Sequence, residues 1–146
     1  MRLFIGILIL IPHLAFGANK CPDFSGKYTL HGEDGRVDIT ITQSACQRIT
    51  IARKSNYLGR ITNEKHIIRL DGNFQDDSSW YGGLDRERSS ARFVAANMEL
   101  VVKAASSDKI FWKVLYELLP DGNLLIKDFD NRTKSYSSGI LAERQK

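Results

Sequence analysis

The residues able to do acid–base or nucleophilic work are few and scattered. His31 and His66 are the only histidines outside the apolar N-terminal segment that holds His13. His66 shares the alternation face of Ile68 and Leu70, where a histidine is more often a satisfied core or rim residue than a general base. Carboxylates pair at Asp76-Asp77 and at Asp128/Asp130, but adjacent acids in a loop are usually solvated, and catalysis needs them at a defined separation. Asp71 and Asn73, followed by Asp76-Asp77, hint at calcium yet lack the spacing of an EF-hand loop. The chain has no Gly-x-Ser-x-Gly elbow, no His-Glu-x-x-His and no Gly-x-Gly-x-x-Gly. No catalytic residue, metal or cofactor is expected, and the chain reads as a non-enzyme.

The remaining chemistry lies in two cysteines, whose meaning depends on compartment. Met1 and Arg2 precede the apolar run Leu3–Ile11; Pro12 and His13 break it, and Ala15-Phe16-Gly17 supplies small residues for a signal peptidase. Nine apolar residues fall well short of the ~20 a transmembrane helix needs, so a cleaved leader over residues 1–17 is expected, with no stable membrane anchor. The product is 146 less 17, or 129 residues, and losing Arg2 takes the formal charge from +4 to +3. In a secreted or periplasmic protein an even pair such as Cys21 and Cys46 is by default a disulfide. Closing that loop of 25 residues is worth roughly 3 kcal/mol in the chain-entropy account.

Composition narrows the class further. At 146 residues the chain makes one domain, over residues 18–146 once the leader is gone. With 42% hydrophobic residues, seven Phe, five Tyr and two Trp it is too apolar for intrinsic disorder. The mild positive charge marks no dedicated nucleic-acid binder, and a monomer is expected. Asn131-Arg132-Thr133 fits the N-glycosylation sequon and falls in a loop.

The elements that must position any site are strands. Val37 to Thr42 alternates apolar with polar, and Gly26 to Leu30 does the same with Tyr28 and Leu30 on one side. Ile49 and Ile51 alternate with Arg48, Thr50 and Ala52; further runs cover Tyr57–Thr62, His66–Leu70, Ala91–Val94 and Met98–Lys103. The longest, Ile110 to Leu119, puts Trp112, Val114 and Tyr116 on one face, with Phe111 and Leu115 on the other. Pro120-Asp121-Gly122 turns the chain into Asn123–Lys127, and a last run covers Tyr136 to Arg144. No stretch sustains helical periodicity. The pattern predicts an all-β, antiparallel, up-and-down barrel of about eight to nine strands, a size that holds packed side chains or one small ligand.

One connection breaks the rhythm. Phe74 to Ser90 shows no alternation and exceeds the ~12–15 residues usual for a structureless loop. It sets Trp80-Tyr81 beside Gly82-Gly83, so these aromatics either form a lid or partner-contacting tip, or Trp80 tucks inward and plugs one barrel end.

The opening Gly26-Lys27-Tyr28, just after Cys21-Pro22-Asp23-Phe24-Ser25, resembles the Gly-x-Trp start of the lipocalin and calycin barrels, with Tyr in place of Trp. In those barrels an Arg of the last strand packs over the ring, and the resemblance assigns that place to Arg144. Tyr116 to Ile126 also looks like the late hairpin of small bacterial lipocalin-like domains. The opening is similar to that of the avidins as well. His31-Gly32-Glu33-Asp34 replaces the polar residues expected there, so biotin binding is not carried over. The resemblance implies an exported binding barrel without chemistry of its own. An apolar or amphipathic small molecule would then meet interior residues such as Tyr28, Phe93, Trp112 and Tyr116, among Leu30, Ile39, Ile41, Leu100 and Val114. The alternative is a protein-interaction module, such as an inhibitor of an extracellular enzyme, acting through Trp80, Tyr81 and the rest of the 74–90 loop.

Overall fold

The computed structural model describes residues 21–33, 35–76, 87–104 and 109–146, the side chain of Phe111 excepted. The leader expected over 1–17 and the Trp80-Tyr81 pair lie outside the described residues. Eleven strands form: β1 (Gly26–Gly32), β2 (Gly35–Ser44), β3 (Arg48–Tyr57), β4 (Arg60–Arg69), β5 (Gln75–Asp76), β6 (Glu87–Val94), β7 (Asn97–Ala104), β8 (Ile110–Leu118), β9 (Leu124–Asp130), β10 (Ser135–Tyr136) and β11 (Ile140–Arg144). The two beyond the expected eight to nine are β5 and β10, each two residues long and too short to leave an alternation in the sequence.

The alternation works as strand geometry requires, because successive side chains point to opposite faces. In β2, Ile39 and Ile41 are buried while Thr40 and Thr42 are exposed; in β4, His66 and Ile68 are buried between exposed Lys65, Ile67 and Arg69. All pairings are antiparallel, in the order β4-β3-β2-β1-β11-β9-β8-β7-β6-β5, with β10 on β9. The first and last strands join the two halves through Tyr28↔Arg144 and Thr29↔Glu143. The sheet thus curls into a nearly closed barrel around one core that includes Tyr28, Ile51, Ile68, Met98, Leu100, Val114 and Leu124.

Closure is completed by contact between β4 and β6 rather than by a ladder. Gln75 bridges part of this seam: its Nε2 donates to the Ile67 carbonyl at 2.7 Å, and its Oε1 accepts from the Arg69 amide at 3.4 Å. A side-chain amide thereby stands in for a backbone pair at an edge that would otherwise template association.

The unpatterned stretch from Phe74 to Ser90 is shorter than the sequence implies. Gln75–Asp76 form β5, and Glu87–Ser90 begin β6. Alternation in β6 is hidden because its inward positions are Glu87, Ser89 and Ala91, all buried and two of them polar.

Candidate functional site

The two ends of the barrel differ. At one end the N-terminal segment acts as a cork. Phe24 is fully buried and its ring stacks on Phe93 at 6.3 Å. The Tyr28 hydroxyl donates to the Phe24 carbonyl at 3.0 Å, and burial pushes the Tyr28 phenol above its ordinary range. Arg144 lies over the Tyr28 ring at 6.0 Å and donates from Nη2 to the Ser25 carbonyl at 2.9 Å, the arrangement implied by the lipocalin-like opening. Cys21 and Cys46 are bonded, with Cα atoms 5.7 Å apart, which ties the cork to the β2–β3 turn. Gln43 reinforces the tie, donating from Nε2 to the Pro22 carbonyl at 2.9 Å and accepting from the Phe24 amide at 3.2 Å.

At the other end the interior is not filled. A cavity of about 180 Å³ is lined by Leu30 of β1, Val37 and Ile39 of β2, Arg53 of β3, Trp112 and Tyr116 of β8, Ile126 and Asp128 of β9, and Ile140 of β11. Leu30↔Val37 lies beside the β1–β2 turn, and Ile39↔Arg53 follows at the middle of β2 and β3, so the cavity runs inward from that end. The wall is mainly aliphatic and aromatic, with three polar groups. The Trp112 indole Nε1 donates to Asp128 Oδ1 at 2.9 Å, and the Arg53 guanidinium stands 6.0 Å from the centre of the Trp112 ring. Arg53 Nε is buried and, among the described residues, has no hydrogen-bond partner. The Tyr116 phenol is pushed up to about 12, first by burial and further by the Asp128 charge, against an opposing pull from Arg53. It therefore stays protonated and can donate.

Of the aromatics expected inside, Trp112 and Tyr116 line this cavity, whereas Tyr28 and Phe93 pack around the cork at the opposite end. Arg53 escaped the sequence reading although its parity signals it: Ile49 and Ile51 point inward, and the next inward position is 53. A charged side chain at that parity breaks the apolar pattern, yet it reaches the cavity wall. Asp128, read as half of a carboxylate pair with Asp130, separates from it: Asp130 Oδ1 accepts from the Arg132 amide at 2.7 Å and shapes the β9–β10 turn. The exposed sequon Asn131–Thr133 lies in that turn.

Other clusters are explained locally. A larger hollow of about 400 Å³ lies on the outer face of β2–β4 between exposed Thr40, Lys54 and Lys65 and is also lined by Arg53, an open groove rather than an enclosed site. Asp71 Oδ1 accepts from the Asn73 amide at 2.9 Å, and Asp76 faces Arg88 at 3.8 Å. On the outside of the C-terminal half, buried Glu99 accepts from Arg92 at 2.9 Å, Lys113 at 2.8 Å and the Tyr136 hydroxyl at 2.7 Å. Burial raises the Glu99 carboxyl, but the bonds from Lys113, Tyr136 and Arg92 outweigh it and hold the group below the usual carboxylate range.

No protein-family model and no curated protein matches the sequence. A crystal structure of a mutant of the fluorescent protein UnaG does match the fold, with a TM-score of 0.57 and 13% identity, covering 84% of this chain and 96% of that one. The fold is a lipocalin/calycin-type barrel. It carries the corked end, the joined first and last strands and the Arg144–Tyr28 contact in one arrangement. No helix among the described residues is long and apolar enough to cross a membrane.

Proposed function

We propose that the protein is an exported β-barrel that binds a small apolar or amphipathic molecule inside its uncorked end and performs no chemistry on it. The observation that carries this reading is the cavity of about 180 Å³ lined by Leu30, Val37, Ile39, Trp112 and Ile126, with polar groups confined to Arg53, Tyr116 and Asp128. Ligand sites combine a mainly apolar wall with a few placed polar groups in this way. A fully packed barrel of this size would have no such space, since protein interiors fill to crystal-like density. Export is supported by the leader pattern over residues 1–17 and by the Cys21–Cys46 bond, which persists in oxidising compartments. The alternative of an enzyme inhibitor acting through Trp80 and Tyr81 rests on residues outside those described.

The test is a titration of the purified, leader-free protein with a panel of short-chain apolar and amphipathic compounds, by calorimetry and tryptophan emission. Saturable one-to-one binding is expected, and Val37→Phe, which fills the cavity from its wall, should abolish it while the protein still melts cooperatively. The reading is overturned if no compound binds, or if Val37→Phe binds as the wild type does.

A further inference from the structure

We propose that the tip of the β3–β4 hairpin docks the protein on an anionic lipid surface, with Tyr57, Leu58 and Ile61 entering the interface and Arg60 and Lys54 meeting the headgroups. This contact is on the outside of the molecule and is independent of what the cavity binds.

The tip projects from the barrel. Buried residues recur along β3 as far as Ile51 and along β4 from His66, but from Asn56 to Asn63 every residue is exposed, on both faces of the hairpin. Among the described residues, a side chain placed at Gly59 would meet no atom within 4 Å. The projecting end is nevertheless apolar: Leu58 is 81%, Tyr57 56% and Ile61 55% exposed. Leu58 also holds φ +48°, a left-handed conformation that disfavours leucine. Both features weaken the free protein. A strained backbone position carrying an exposed apolar side chain points to a function outside the fold, and an apolar environment that receives Leu58 would offset its exposure.

Charge and shape select the lipid surface. From Ile39 to Asn63 the chain holds Arg48, Arg53, Lys54 and Arg60 and no acid. Arg60 lies within the tip, and exposed Lys54 and Lys65 stand at its base. Asp38, opposite Lys54, is paired with Arg36 at 2.8 Å, and half-buried Glu64 lies opposite Arg53. A finger from Asn56 to Asn63 is far smaller than the ~20–30 residues a side of a stable protein interface. Two copies meeting at their tips would also bring like charges together. A bilayer accepts such a tip: aliphatic side chains reach the acyl boundary, tyrosine rests at headgroup level, and cations meet anionic heads.

The experiment is co-sedimentation of the leader-free protein with vesicles of equal parts phosphatidylglycerol and phosphatidylcholine, and with vesicles of phosphatidylcholine alone. Anionic vesicles should bind about 10- to 100-fold more tightly, at roughly fivefold per basic residue, and the preference should fall as salt rises. Leu58→Asn should weaken binding about tenfold while the protein stays folded, because asparagine suits this turn. Arg60→Gln should weaken binding to anionic vesicles about fivefold and leave phosphatidylcholine binding unchanged. Tyr57→Trp should add a tryptophan emission that shifts to shorter wavelength on anionic vesicles. No binding to anionic vesicles, equal binding to both kinds, or wild-type binding by Leu58→Asn overturns the proposal. Dimerisation of the vesicle-free protein that Leu58→Asn abolishes assigns the tip to a second copy and overturns it as well. None of these outcomes touches the ligand titration, so the binding reading stands or falls separately.

Discussion

Removing the disulfide tests how the corked end is held. In Cys21→Ser/Cys46→Ser the folded chain keeps its other ties: Gln43 still bonds the Pro22 carbonyl and the Phe24 amide, and Phe24 still stacks on Phe93. The native state should therefore change little, and the cost should fall on the unfolded chain, which regains the freedom of a 25-residue loop. The chain-entropy account sets that cost at roughly 3 kcal/mol, and for a domain of this size it lowers the melting temperature by about 10 °C. Phe24→Ala acts differently, because it opens a hole against Phe93 and should cost about 3–5 kcal/mol. With the cork seated independently of the bond, the two losses should add in the triple variant, and strong non-additivity would show that the disulfide seats the ring. The assay is urea unfolding of each variant, with ligand titration as a control, since the cavity lies at the far end. A loss below about 1 kcal/mol on removing the disulfide, or a loss of ligand binding, would refute this reasoning.

Two further outcomes are expected. Glu99→Gln should cost about 2 kcal/mol at pH 7, because it neutralises a buried carboxylate that Arg92, Lys113 and Tyr136 all engage. The folded-state carboxyl titrates below its unfolded value, so its contribution is full above about pH 4.3 and disappears as pH falls through the folded value. The gap between wild type and variant in urea unfolding should therefore shrink at pH 3, and a gap that held or widened would contradict the assignment. Leu58→Asn should stabilise the protein by about 0.5–1 kcal/mol in thermal unfolding. Leu58 is 81% exposed and, with Gly59, occupies the left-handed region at φ +48° in a two-residue hairpin turn that favours Asn-Gly. A decrease in stability would show that the leucine makes contacts beyond the turn.

Much of the architecture was legible in the chain because strand alternation is a local property. Val37-Ile39-Ile41 and Trp112-Val114-Tyr116 announce their inward faces without knowledge of any neighbour, and Pro120–Gly122 marks where strands reverse. The division into runs over Tyr57–Thr62 and His66–Leu70 is corrected by the structure: the chain turns at Leu58-Gly59 and continues through Asn63-Glu64 as the single strand β4, because the exposed polar residues there keep the strand geometry without an apolar alternation to show it. Where polar residues occupy inward positions the signal fails, as at Glu87 and Ser89 of β6. The same failure hid Arg53, which shares the cavity wall with Asp128. The strands β5 and β10 were invisible for another reason, since two residues carry no period.

The sequence by itself determined the barrel class, the pairing of its two cysteines and the covering of Tyr28 by Arg144. These follow from parity, from the even cysteine count behind a leader-like segment, and from what the resemblance of the Gly26-Lys27-Tyr28 opening to lipocalin barrels implies. Only the tertiary structure decided which end is filled. Tyr28, Phe93, Trp112 and Tyr116 share one interior face and are equivalent by alternation. Tyr28 and Phe93 pack against the Phe24 cork, whereas Trp112 and Tyr116 line the open cavity. Register alone does not separate them, since Tyr28 sits opposite Ile39 of the cavity wall and Phe93 and Tyr116 both sit opposite Met98. The separation comes from the Phe24 segment, seated at one end by contacts between residues far apart in the chain, where no local pattern reaches.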